Sequence, residues 1–216
     1  MDLQARLDAE RARRLENETV RAAYEETVTT LRRNGFLPSV LAEETLFPDF
    51  VLPNTEGRLV SLSSLLARGP VIVQFFRGEW CPYCRIMLDA LVEALPEIEA
   101  LGASLIALTP DTGPWVQEAK TTHGARFDVL SDVDCGVGLA AGVVFRVLPL
   151  YLARLQAVGI DFPDRHGNDA WFLPMPALFL LDRDGRIAWR FADPDFTRRA
   201  TPEQILAALR ALDPPG

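Results

Sequence analysis

Residues 81–84 read Cys-Pro-Tyr-Cys. They follow an apolar run, Val71-Ile72-Val73-Gln74-Phe75-Phe76, and precede a stretch of helical periodicity, Met87-Leu88-Asp89-Ala90-Leu91-Val92-Glu93-Ala94-Leu95. A strand, a short turn and two cysteines three apart on a helix's first turn suit thiol–disulfide exchange. Cys81 is expected at or just before the first helical residue. Pro82 fits that first turn because its missing N–H would be unpaired anyway. The free backbone N–H groups there, and the helix dipole, favour an anion. Cys81 is therefore the thiol that ionises more easily, and the thiolate is the attacking form. Cys84, one turn on and deeper, suits a resolving thiol. Trp80 and Tyr83 are expected to flank the pair and shield it from water.

A zinc site is the rival chemistry. A closed site needs about four ligands, usually two pairs at short spacing. The remaining candidates, Cys135, His123 and His166, are scattered and unpaired, so no metal is expected. A structural disulfide without turnover is the other bland reading of the pair. Cys135 lies near an apolar helical stretch and reads as a buried, inert thiol; the functional alternative is a third redox cysteine that resolves Cys81. His123 and His166 fall in polar, loop-like contexts and read as surface residues. Glu79 is read as exposed.

These residues must be positioned by the elements around them. Residues 1–35 read as a helical extension. A second helix is expected to start near Asn17–Thr19, with Val20, Ala23, Tyr24, Val28 and Leu31 on one face. Arg32-Arg33-Asn34-Gly35 reads as its end. That stripe needs an apolar partner, either the chain's own domain or a second subunit, which would make a homodimer. From Phe47 the pattern is mixed α/β. Two short strands flank Asn54-Thr55-Glu56-Gly57, a capped helix follows from Ser61, and Val71–Phe76 reads as a buried central strand. A helix is expected from about Pro82 to Ala100, with Pro96 kinking or ending it. Ala103–Thr109 and Phe127–Leu130 are strands, and Asp111 or Thr112 caps the helix between them. Tyr151–Val158 reads as helical and residues 159–170 as a long surface loop. A hairpin, Ala177–Leu181 with Arg186–Phe191, and a helix from Thr201 to near Leu212 close the chain.

This order implies an α/β fold: a central mixed sheet flanked by helices on both faces, with the N-terminal extension (1–35) ahead of the main domain (36–216). An apolar fraction of 49% gives ample core, and a net charge of −8 repels nucleic acid and anionic membranes. The N-terminus is too polar for a signal peptide and no apolar stretch is long enough to span a bilayer, so the expected location is cytoplasmic. The single lysine, Lys120, among many arginines points to a GC-rich bacterial genome.

Phe75-Phe76-Arg77-Gly78-Glu79-Trp80-Cys81-Pro82-Tyr83-Cys84 resembles the thioredoxin-like proteins grouped as the AhpC/TSA, or peroxiredoxin-like, family. Phe47–Pro53 resembles that family's opening strand, Val129-Leu130-Ser131-Asp132 its central segment, and Pro176–Gly185 its closing hairpin. The resemblance covers roughly residues 40–212 and implies a thioredoxin-like fold. It also implies a redox enzyme without organic cofactor, acting on disulfides or hydroperoxides and recycled by a thioredoxin- or glutathione-type reductant. Two departures stand out. Peroxiredoxins place a Pro and a Thr or Ser before the attacking cysteine; those positions here are Gln74 and Gly78. They also carry an Arg ahead of the closing hairpin, where this chain reads Pro174-Met175-Pro176. Met175-Pro176 resembles the cis-proline loop of thioredoxins, which implies a substrate groove shaped by Trp80, Met175 and Pro176. Cys-Pro-Tyr-Cys is also the glutaredoxin dithiol sequence. Three functions follow as expectations: a thiol oxidoreductase in which Cys81 attacks and Cys84 resolves, a thiol peroxidase with a variant pocket, and a non-enzymatic interaction module.

Overall fold

The computed structural model describes residues 2–212. Two helices open it, α1 (Leu3–Leu15) and α2 (Glu18–Arg33), followed by a single turn, α3 (Phe36–Ser39). The Asn17 side chain accepts hydrogen bonds from the N–H groups of Thr19 and Val20, which starts α2. Gly35, at φ 71°, takes the left-handed turn that ends it. Strands β1 (Val51–Pro53) and β2 (Leu59–Ser61) form a hairpin, and Ser61 caps the short α4 (Leu62–Leu66).

Strands and helices then alternate: β3 (Val71–Phe75), α5 (Pro82–Ala100), β4 (Ser104–Thr109), α6 (Pro114–Thr122) and β5 (Asp128–Ser131). A 3-10 turn at Val133–Cys135 leads to α7 (Gly136–Ala140), β6 (Val144–Arg146), α8 (Pro149–Gln156) and α9 (Phe162–His166). The chain closes with β7 (Phe172–Pro174), β8 (Ala177–Leu181), β9 (Ile187–Ala192) and α10 (Pro202–Leu212). The main sheet has the order β5-β4-β3-β8-β9. β3 pairs in parallel with β4 and antiparallel with β8. Every residue of β3 and β8 is buried, so the sheet is covered on both faces. This is the mixed α/β architecture the element order implies, and it agrees with the thioredoxin-like fold that the family resemblance implies.

The helical arm packs on its own domain. α1 lies against α5 and α2 against α8. Leu3 and Leu7 are buried, and Arg6 reaches Asp89 of α5 at 2.8 Å. Tyr24 of α2 donates to the Asp195 carboxylate at 2.7 Å and stands edge-on to Phe196.

α5 runs to Ala100 as its apolar spacing implies, and Pro96 does not end it, because Leu91, Leu95 and Ile98 are buried on both sides of the proline. Two expectations are corrected, the cap of α6 and the loop at residues 159–170. α6 is preceded by Gly113, with Pro114 at its first position, so neither Asp111 nor Thr112 caps it. Asp111 is instead buried and bound to Arg165 at 3.1 and 2.6 Å. Residues 159–170 are no surface loop: they contain α9, whose Phe162, Arg165 and His166 are buried, with Asp161 capping the turn. The Met175–Pro176 bond, whose isomer the sequence leaves open, is trans; no cis peptide occurs among the described residues.

Candidate active site

β3 delivers the chain to a loop, Phe76–Trp80, that turns directly into α5. Cys81 is the N-cap of that helix, in an extended conformation, and Pro82 is its first residue. No side chain caps this end, so the first-turn N–H groups face the Cys81 sulfur's region with their partial positive charge. The Cys81 carbonyl accepts from the N–H of Cys84 at 3.0 Å and of Arg85 at 3.1 Å, fixing the first turn. Both cysteines are reduced. The Cys84 sulfur lies further in, accepting from the Arg77 N–H at 3.4 Å and from the Arg199 guanidinium at 3.7 Å.

Arg77 is the electrostatic centre. It is 0% exposed, and its guanidinium lies 4.4 Å from the Phe196 ring, 5.0 Å from Tyr151 and 5.2 Å from Trp80. It donates to the Tyr151 hydroxyl. Its Nε and Nη1 have no partner. A buried cation held by ring faces and one phenol stabilises a nearby anion strongly, because little water screens it. Burial alone would push the Cys81 thiol up. The hydrogen bond from Cys84 and the charges of Arg77 and Arg199 outweigh it and bring the group down to about 5. Cys84 moves the other way: burial and the bond to Cys81 hold it as a thiol, well above the usual range. The two thiols are thus shifted in opposite directions, Cys81 down and Cys84 up.

Cys81 is 2% exposed and lies at a cavity of about 300 Å³. The helical arm supplies one wall with Leu15, Val20 and Tyr24. α8 and its following turn supply another with Tyr151, Leu155 and Ile160, and Phe196 closes a third side. Trp80, Pro82 and Tyr83 line the same space. Met175 and Pro176 do not: both are buried, and the Met175 N–H is committed to the Val143 carbonyl at 2.8 Å. The groove they were expected to shape with Trp80 is therefore not what Cys81 opens onto.

Gly78 and Gln74 occupy the positions that differ from peroxiredoxins. Gly78 has φ 125°, and a Cβ there would come 2.5 Å from an Asp111 carboxylate oxygen and 2.6 Å from the Trp80 indole nitrogen. The space a hydroxyl side chain needs is filled by these two groups. Gln74 is buried and donates to the carbonyls of Phe75 and Ala177 at 2.6 and 3.2 Å.

Glu79 and the two histidines are not at the surface. His123 joins Glu79 at 2.9 Å and Asp89 at 2.6 Å, and its side chain is nearly sealed. The Glu79 hydrogen bond, reinforced by Asp89, raises its pKa. His166 is buried and stacked on Phe162. Each is drawn inward by a carboxylate or a ring that the local sequence does not show. Cys135 is buried, its thiol pushed up by burial, and it is absent from the cavity lining. Among the described residues no three His, Cys, Asp or Glu side chains cluster as metal ligands.

Sequence reasoning missed Arg77, Tyr151, Phe196 and Arg199. Arg77 carried a signal, a lone cation directly after an apolar strand. Phe196 and Arg199 lie in an irregular segment before α10, where no periodicity marks them.

A mixed sheet with a reduced Cys-x-x-Cys pair at the start of the helix after its central strand defines a thioredoxin-like thiol protein. The chain belongs to the AhpC/TSA family, whose model matches residues 44–190. It is 29% identical over 104 residues to the putative chloroplastic peroxiredoxin Q of Oryza sativa subsp. indica. That match spans about half of each protein, 48% of both. It is 26% identical over 168 residues to the thiol-disulfide oxidoreductase ResA of Bacillus thuringiensis, spanning 77% of this chain and 76% of the relative. The crystal structure of peroxidoxin BcpB from Mycobacterium tuberculosis shares the fold, with a TM-score of 0.63 at 20% identity over 80% of this chain and 98% of that one. No helix among the described residues is long and apolar enough to cross a membrane.

Proposed function

We propose that this chain is a thiol-dependent oxidoreductase working through a Cys81/Cys84 dithiol–disulfide cycle. The observation that carries the reading is the placement of the pair: Cys81 is the N-cap of α5 at the cavity, and Cys84 lies one turn on with its sulfur against the Arg77 N–H and the Arg199 guanidinium. The Cys84 hydrogen bond and two arginines favour the Cys81 thiolate, and burial favours the Cys84 thiol. Cys81 attacks the oxidant and Cys84 then attacks Cys81, closing an intramolecular disulfide. A dithiol reductant of thioredoxin or glutathione type opens it again, and a reducing compartment such as the cytoplasm fits that requirement. Membership of a family whose relatives include a peroxiredoxin and a thiol-disulfide oxidoreductase supports both disulfide and hydroperoxide reduction. The near-enclosure of Cys81 favours a small oxidant, so peroxidase chemistry with a pocket unlike the Pro/Thr arrangement is the second reading. We assign residues 1–35 as an extension that walls the site of a thioredoxin-like domain spanning 36–216. The test is a panel of hydroperoxides and disulfides run on wild type, Cys81→Ser and Cys84→Ser. Cys81→Ser is expected to abolish turnover and Cys84→Ser to trap Cys81 in mixed disulfides or as sulfenic acid. Full activity in Cys81→Ser would sink the proposal.

A further inference from the structure

The chain is acidic, with a net charge of −8, yet no Asp or Glu lines the cavity above Cys81 among the described residues. Its polar lining includes three arginines, Arg14, Arg77 and Arg154. Arg14 is already paired with Glu10 at 2.7 Å. Arg77 lies beside the sulfur, fully buried, with two nitrogens unpartnered. Arg154, on α8, has a buried Nε that also has no hydrogen-bond partner. Buried guanidinium N–H groups without acceptors are costly, and a carboxylate is the ligand group whose geometry satisfies them best. The rest of the lining is largely aliphatic and aromatic, with Leu15, Val20, Leu155, Ile160 and Phe196 beside the tyrosines and Trp80. A volume of about 300 Å³ is at the small end of ligand pockets, which run from about 300 to 1,000 Å³. This leaves room for a medium-length chain.

Resting on the redox reading above, we infer that the substrate is a compact organic hydroperoxide carrying a carboxylate, its acid head held by Arg154 and its peroxide end placed at Cys81 and Arg77. The Cys81 thiolate attacks the terminal peroxide oxygen. The S–O bond forms, the O–O bond breaks, and Cys81 becomes a sulfenic acid. The electron pair leaves on the alkoxide, which the free Arg77 N–H groups receive before it takes a proton from water and departs as the alcohol. The Cys84 thiol then attacks the Cys81 sulfur, the S–O bond breaks, and water leaves as the disulfide closes. Two electrons from the dithiol have reduced the hydroperoxide, and the external reductant restores them.

The test compares the hydroperoxide of octanoic acid, its methyl ester and hydrogen peroxide. The free acid is expected to exceed the ester in kcat/KM by at least about tenfold, the size of one hydrogen bond to a charged group, with the difference in KM. Arg154→Gln should collapse that ratio toward one, and Arg154→Lys should recover part of it. A second measurement needs no turnover: octanoate should slow iodoacetamide alkylation of Cys81, and octanol should do so far less. Equal rates for acid and ester, with no selective protection by octanoate, would overturn the inference while leaving the redox reading intact. Selective protection without any oxidation of Cys81 by these hydroperoxides would overturn the hydroperoxide assignment and keep the anionic ligand, and loss of disulfide turnover as well would overturn the redox reading.

Discussion

The sulfur at position 81 is acidic because the chain puts two arginines beside a buried dithiol. Its rate of alkylation by iodoacetamide should therefore inflect near pH 5, well below the free value of about 8.5. Arg77→Met should raise that inflection by roughly one unit or more, a loss of about 1.4 kcal/mol of thiolate stabilisation. Circular dichroism would establish that the variant folds, and an unmoved inflection in a folded variant would contradict Arg77's role. The same shift bears on stability. The folded-state value is depressed below the unfolded one, so the thiolate's contribution is complete above about pH 8.5 and is lost as pH falls toward 5. Urea titrations of the reduced protein and Cys81→Ser should show the gap between them narrowing across that window. A stabilised thiolate also raises the reduction potential, so a value nearer glutaredoxins, about −200 to −230 mV, is expected rather than thioredoxin's −270 mV or so. Gly78 is closed to substitution. Gly78→Thr must force a β-branched residue into φ 125° against Asp111 and Trp80, at a cost of about 1–3 kcal/mol for the backbone alone. Thermal melting is expected to show it destabilised, with no gain in peroxide turnover.

At the level of elements, one ionic chain ties three helices together. Arg6 of α1 meets Asp89 of α5, which meets His123 at the end of α6, which meets Glu79 beside the dithiol loop. His123 has its pKa raised by the two carboxylates, so its contribution is complete below about pH 6.5 and is lost as pH rises through the higher folded-state value. Comparing wild type with His123→Gln by denaturant unfolding should show their difference shrinking above neutrality. That trend is opposite in sign to the one expected of Cys81. The packing of α1 on α5 supplies the apolar part of this attachment. Leu7 is 1% exposed, and Leu7→Ala should cost about 2–5 kcal/mol. The elements themselves were legible wherever a local device set them. Asn17, Ser61 and Gly35 announce helix ends through their own hydrogen bonds or backbone freedom, and β8 by an unbroken apolar run and β3 by a run broken only at Gln74 announce burial. The stretch 159–170 was not legible, because its polarity is that of a loop. What buries Arg165 is Asp111, more than fifty residues away, and what stacks on His166 is Phe162 within a single short turn.

Across the whole molecule, the reactive pair was readable because its chemistry sits in four consecutive residues, and the pocket was not because its walls come from distant segments. Residues around 15–24, 151–160 and 196 meet only when the sheet between them has formed. The Met175–Pro176 loop shows the complementary error: a local likeness assigned it to substrate, and the backbone hydrogen bond to Val143 instead locks it into the interior. Closure of the cavity thus waits on both ends of the polypeptide. During synthesis on the ribosome the arm emerges first, the dithiol next, and Phe196 and Arg199 near the end. A chain halted after β5 would carry its nucleophile without the aromatic lid or the second guanidinium. Such a fragment is expected to hold its thiol more open to solvent and, without Arg199, less acidic than in the finished protein.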